Sequence, residues 1–163
     1  MKQMEFDMEI EIKVPERPKV DKEMIEAAAR KLVDVNATFD GCDFEEIADQ
    51  YYYGIDGYEL AKRLDDHYYW DIDADMVFEL DSMDGIVRDL WQEKQREWVK
   101  EFNIQPTLEN GTHITKGVID GVSTYHAACY NVKEYGCEKE NSYLIVKFED
   151  AIPVEIIETK DEK

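Results

Sequence analysis

The chain has 163 residues, of which 39 are acidic and 19 basic, giving a net charge of −20. Hydrophobic residues make up 44% and aromatics 12%, which excludes a disordered acidic tail and leaves enough bulk for one folded domain. No apolar run reaches the roughly 18 residues of a membrane-spanning helix, and the charge opposes contact with nucleic acid or anionic lipid while favouring basic surfaces.

Residues 4–14 alternate strictly, with Met4, Phe6, Met8, Ile10, Ile12 and Val14 on one face and Glu5, Asp7, Glu9, Glu11 and Lys13 on the other. That period predicts a strand with one wet face, hence an antiparallel sheet. The wet face would carry a ladder of four carboxylates, from Glu5 to Glu11. The opening stretch has no apolar core of a secretory signal, and the three cysteines are odd in number. The expected location is therefore the cytoplasm, with reduced thiols. Pro15 and Pro18 end the strand. Asp21 can cap a helix over 22–35, with Val20 and Ile25 as a hydrophobic staple and Met24, Ile25, Ala28 and Leu32 as its apolar stripe.

Asp40-Gly41 marks a turn. Asp43-Phe44-Glu45-Glu46 is a capping-box pattern that opens a helix over 44–53, and Asp56-Gly57-Tyr58-Glu59 opens another over 57–68. Asp73 can cap a long fourth helix over 74–102, whose seam is Met76, Leu80, Met83, Val87, Leu90, Trp91, Trp98 and Phe102. Gly85 stands inside it as a point of bending or breakage. A loop from Asn103 to Gly111 follows, then strands over 112–119, 122–132, 142–149 and 152–158, with Asp120-Gly121 as a hairpin turn and Pro153 at an edge. The expected fold is α+β: an antiparallel sheet of about 4–5 strands including the N-terminal strand, with a four-helix acidic insertion. The chain is read as a single domain, 1–163, made of an N-terminal strand (1–20), a helical acidic subdomain (21–102) and the sheet (103–163).

Few patterns carry catalytic chemistry. There is no phosphate-binding glycine loop and no G-x-S-x-G, and only Ser82, Ser123 and Ser142 are available as serines. His126, Cys129 and Cys137, with His113 upstream, offer four zinc ligands, but at irregular spacings. Asp71, Asp73 and Asp75 resemble the start of a calcium loop; Met76 replaces its turn glycine and Ser82 its final glutamate, which excludes an EF-hand. Asp150, Glu158 and Lys160 could be drawn as a nuclease triplet, against which the overall charge speaks. No enzyme activity and no cofactor are expected.

The charge itself is unevenly placed. Residues 34–89 hold 17 acids and only Lys62, Arg63 and Arg88 as bases, a net −14 in the middle third of the chain. Solubility asks for a net charge of only about 2–8 in a small domain, and the chain's 14 lysines against five arginines do not suit halophilic adaptation. Asp43, Glu46, Asp56, Glu59 and Asp73 have a capping explanation, which still leaves −9. Fourteen charges at duplex spacing match ~24 Å of DNA, about seven base pairs. Two aromatic runs, Tyr51-Tyr52-Tyr53 and Tyr68-Tyr69-Trp70, sit in the same block. Three consecutive side chains cannot all face the core from one helix, so each run should show a tyrosine beside acids, where carboxylates and ring faces suit arginine.

In size, in its acidic block and in the Glu5 to Glu11 ladder, the chain resembles acidic phage and plasmid counter-defence proteins of the DNA-mimic anti-restriction and anti-CRISPR type. That resemblance implies a basic nucleic-acid-binding partner such as a CRISPR nuclease or restriction enzyme, often a homodimer, and no direct binding of nucleic acid or membrane. The expected partner-binding residues are Asp65, Asp66, Tyr68, Tyr69, Asp71, Asp73, Asp75, Glu79, Asp81 and Asp84. An adaptor for some other basic partner, or a zinc-stabilised protein built on His126, Cys129 and Cys137, are the alternatives.

Overall fold

The structure is a computed structural model that describes residues 14–155. Residues 4–13 of the expected N-terminal strand, with its carboxylate ladder, therefore lie outside the described residues, as do the final residues of the strand expected over 152–158. What is described is α+β. Five α-helices, α1 (Lys22–Val35), α2 (Phe44–Gln50), α3 (Gly57–Tyr68), α4 (Ala74–Leu80) and α5 (Met83–Glu101), precede a four-stranded antiparallel sheet. Its strands are β1 (His113–Ile114), β2 (Gly117–Val122), β3 (Cys129–Glu134) and β4 (Leu144–Lys147), in the order β1-β2-β3-β4.

The first four helices start where an aspartate can cap them. Asp21, Asp43, Asp56 and Asp73 accept from the backbone N–H groups of Met24, Glu45, Glu59 and Met76 at 2.8–2.9 Å. Each aspartate thereby satisfies a donor that its first turn leaves open. Glu46 does not close the reciprocal half of its box; it accepts instead from the Trp70 indole N–H at 2.5 Å and so ties α2 to the end of α3. α1 buries Met24, Ala28, Ala29 and Leu32, and packs against both α2 and α5.

Two helix boundaries differ from expectation, both for tertiary reasons. α2 stops at Gln50 rather than 53 because Tyr51 turns extended and enters the core. The helix expected over 74–102 is interrupted at Asp81-Ser82, where the Asp81 carboxylate accepts from the Gly57 N–H at 2.8 Å and the Ser82 hydroxyl donates to the Glu79 carbonyl at 2.6 Å. Leu80, Met83 and Val87 are all fully buried, so the apolar seam runs on across the break and conceals it. Gly85 does not break the helix; it lies within the first turn of α5 with open space beside it.

Gly57 is where α3 meets α4. A Cβ there would overlap the Val77 carbonyl and lie 2.6 Å from the Asp81 nitrogen. Gly57→Ala is expected to cost about 1–3 kcal/mol, because backbone rather than a flexible side chain must move. A urea midpoint unchanged from the parent would contradict this.

The sheet corrects one turn. Asp120-Gly121 is not a hairpin turn but lies within β2, where the register against β3 shifts between Ile119 and Gly121 as in a bulge. The chain reverses instead at Thr115-Lys116, between β1 and β2, and through residues 123–128, where Ala128 has φ 51°. Pro153 contributes only an isolated bridge to Ile114.

The described residues form two cores. The helical one holds Leu32, Phe39, Ile47, Leu60, Leu64 and Met83 among others; the sheet one holds Ile114, Ile119, Tyr130, Val132 and Val146. The Tyr130 hydroxyl accepts from the N–H groups of Thr107 and Leu108, which lays the preceding loop over the sheet. The extended segment 15–20 joins the two cores. The indoles of Trp91 and Trp98 donate to the carbonyls of Pro18 and Pro15 at 2.9 and 3.0 Å. Arg17 is 9% exposed and uses all five of its N–H groups. They reach both Glu149 oxygens, Gln95 Oε1 and the carbonyls of Ala127 and Ala128, at 2.6–3.0 Å.

Candidate protein-binding face

The acidic block forms α2, α3, α4 and the start of α5, and its carboxylates divide into two groups. Seven have internal work. Asp43, Asp56 and Asp73 cap helices; Glu46 holds Trp70; Asp49 accepts from the Tyr68 hydroxyl at 2.8 Å and from Gln50 at 2.9 Å. Asp81 sits on the N-terminus of α3, where a negative charge also complements the helix dipole. Asp84, with its side chain 13% exposed, accepts from the Tyr51 hydroxyl at 2.7 Å, the Gly54 N–H at 2.8 Å and Arg88 at 2.8 Å. The other ten, including Asp65, Asp66, Asp71, Asp75 and Glu79, make no side-chain hydrogen bond or ion pair among the described residues.

Two of the block's three cations are held locally. Arg88 pairs with Asp84, the block's one ion pair among the described residues. Arg63 donates to the Gln50 carbonyl at 3.0 Å and lies 5.6 Å over the Tyr52 ring. Lys62 is exposed on α3. The negative potential of the outer surface is thus opposed mainly by water and salt.

Burial places the expected residues. On α3, Gly57, Leu60, Ala61 and Leu64 face the core. Tyr58, Lys62, Asp65 and Asp66 fall on the outward stripe at helical spacing, and Tyr69 follows as the left-handed cap, φ 57°. Asp71, Asp73 and Asp75 continue the exposed surface through the α3–α4 connection and into the first turn of α4. Glu79 is half-exposed. Asp65, Asp66, Tyr69, Asp71 and Asp75 are thus exposed along the chain from the end of α3 to the first turn of α4, whereas Asp81 and Asp84 serve the 51–57 loop and Tyr68 is bonded to Asp49. Each aromatic run exposes a tyrosine, though not by the helical spacing expected, since residues 51–53 and 69–70 lie beyond the ends of α2 and α3: Tyr52 and Tyr53 stand beside buried Tyr51, and Tyr69 beside half-buried Trp70.

On α3 and α4, two exposed rings were not among the expected site residues: Tyr58, 71% exposed, and Phe78, 76% exposed. Their signal is periodic, since Tyr58 falls off the 57-60-61-64 stripe and Phe78 off the Met76, Val77 and Leu80 stripe. A groove of about 550 Å³ beside Tyr68, between α1 and α2, extends the acidic surface. Six carboxylates line it, from Asp21, Glu26, Asp43, Glu45, Glu46 and Asp49, against one cation, Lys22, which pairs with Glu26.

Other constellations do not assemble. Among the described residues no three His, Cys, Asp or Glu side chains come close enough to hold a metal ion. His113 stacks on Tyr135, His126 contacts Ser123, and Cys129 is buried with its thiol on the Ala127 carbonyl. The zinc ligands that the sequence offered are thus not brought together, and Glu158 and Lys160 of the nuclease triplet lie outside the described residues. A cleft of about 690 Å³, lined by Trp91, Trp98, Ile104 and Phe148, separates the cores, but its Arg17 and indole donors are all engaged within the protein.

The fold and surface together define a small α+β domain with an aromatic, carboxylate-rich helical face. No family model, curated protein or solved structure matches the chain. Among the described residues no helix is long and apolar enough to cross a membrane.

Proposed function

We propose that this chain is a non-enzymatic inhibitor, of the counter-defence kind that the sequence resembles. Its acidic face occupies the basic nucleic-acid channel of a nuclease, such as a CRISPR nuclease or a restriction enzyme. The observation that carries this reading is the set of ten carboxylates of the 34–89 block that have no side-chain partner among the described residues, joined by exposed tyrosines. Unpaired negative charge at this density repels itself and lowers stability, and a cationic groove relieves that repulsion on binding. Channels for nucleic acid are lined by arginine and lysine and release counterions when a polyanion enters.

Titrating the purified chain into cleavage reactions of RNA-guided and restriction nucleases tests the proposal. Inhibition is expected to fall steeply between about 50 and 200 mM salt. Charge reversal by Asp65→Lys with Asp66→Lys should weaken inhibition by about tenfold or more, with no loss of melting temperature, because both side chains are exposed and relieving their repulsion can only favour the fold. Normal inhibition by that variant would remove α3 from the interface. A bound partner that nucleic acid does not displace would favour an adaptor for another basic protein.

A further inference from the structure

We infer that the face copies a single strand of nucleic acid rather than a duplex. Its partner groove is then one that holds single-stranded DNA or RNA. The inference rests on the functional reading just given and names the partner's class. A duplex presents phosphates outward and keeps its bases stacked inside, so a duplex mimic needs charge and no exposed rings. Grooves for single strands combine a cationic track with aromatic side chains on which unstacked bases lie. A protein that enters such a groove gains by offering flat rings as well as carboxylates.

Three rings stand out on α3 and α4. Tyr58, Tyr69 and Phe78 are 71%, 88% and 76% exposed. Tyr58 lies in the first turn of α3 and Tyr69 is its left-handed C-cap, eleven positions on, which sets their backbones ~16 Å apart along the helix. Asp65 and Asp66 fall between them. Phe78 and Tyr58 flank the point where Gly57 touches Val77, so they belong to the same end of the α3–α4 pair. Phe78 has no polar atom to satisfy in water, and its position off the core stripe leaves it without a packing role. Isolated exposed hydrophobes are ordinary. Three rings on α3, its C-cap and α4, together with carboxylates that have no partner among the described residues, offer both features of a single strand. Charge decides the occupant: an apolar partner would strand the carboxylates, whereas arginine both pairs with them and stacks on the rings.

The test uses the full chain, immobilised, with protein captured from a bacterial lysate at about 50 mM salt. Captured protein is challenged with oligo(dT), oligo(rU) or a duplex of the same length. The inference expects one of the single strands to release it at about a tenfold lower concentration than the duplex, with the DNA and RNA arms identifying which strand the groove holds. It also expects the Tyr58→Ala, Phe78→Ala double variant, shown by melting to be folded, to bind about tenfold more weakly with its salt dependence intact. Equal or better release by duplex, or parental binding by the ring variant, overturns the single-strand inference and leaves the acidic-face reading standing. Release by none of the nucleic acids, or no capture at low salt, overturns both.

Discussion

Arg17→Ala is expected to lower folding stability by about 3–5 kcal/mol, the largest loss for any single change outside the two cores. The guanidinium bridges α5, through Gln95, to the chain before β3, through the carbonyls of Ala127 and Ala128, and to Glu149 beyond β4. It also lies 5.2 Å over the Trp98 ring. Truncation leaves buried acceptors without donors, each costing about 1–3 kcal/mol. Arg17→Lys should recover little, because an ammonium cannot present a planar fork to a carboxylate and three other acceptors. The Glu149 partner is half-exposed, and the hydrogen bond from Arg17 holds its carboxyl below the ordinary range against the opposing effect of burial. Its contribution is therefore present above the unfolded carboxyl range and is lost as acid titrates it. Chemical denaturation of the two variants and the parent decides the matter; an alanine variant within 1 kcal/mol of the parent would leave the Arg17 fork with no structural role.

Asp84→Ala is expected to cost about 2–3 kcal/mol, and to do so without touching the outer face. Asp84 is the hub of the 51–54 loop, and its loss leaves the hydroxyl of Tyr51, 7% exposed, without an acceptor. Burial raises the Asp84 carboxyl, but hydrogen bonds from Tyr51, the Gly54 N–H and Arg88 outweigh it and set the group below its ordinary value. Tyr51 is pushed upward, first by burial and then by the hydrogen bond to Asp84. The signs give a stability plateau with two edges. The Asp84 contribution is present above its unfolded pKa near 3.9 and disappears as pH falls through the folded value. The Tyr51 contribution is present below about pH 10 and disappears as pH rises through its raised value. Melting across pH should show both edges in the parent, and both weakened in the Asp84→Ala variant. Persistence of the alkaline edge at full size in that variant would separate Tyr51 from Asp84.

What the sequence made legible was local. All four aspartate caps, α1 and α3 to within a residue, and the α+β order of elements follow from side chains that act on their own turn. The outward acids of α3 were equally readable, because a helix stripe fixes direction. Features set by distant partners were not. Asp81 and Asp84 resemble the other acids of the block, yet their donors lie 24 and 33 positions away, at Gly57 and Tyr51. The same contacts place the break between α4 and α5, which the unbroken Leu80, Met83, Val87 seam hides. Asp120-Gly121 has the composition of a tight turn, and only pairing with Asn131 shows that it continues a strand. Arg17 stands between two prolines where the pattern announced nothing more than a strand ending.

The separation of the two cores has a mechanical consequence. Among the described residues they share no buried apolar side chain, so the sheet can open while the helices stay closed unless segment 15–20 couples them. One short linker thus determines whether the molecule melts as a single cooperative unit or as two foldons. Force or proteolysis applied there would release the sheet while leaving the charged helices assembled.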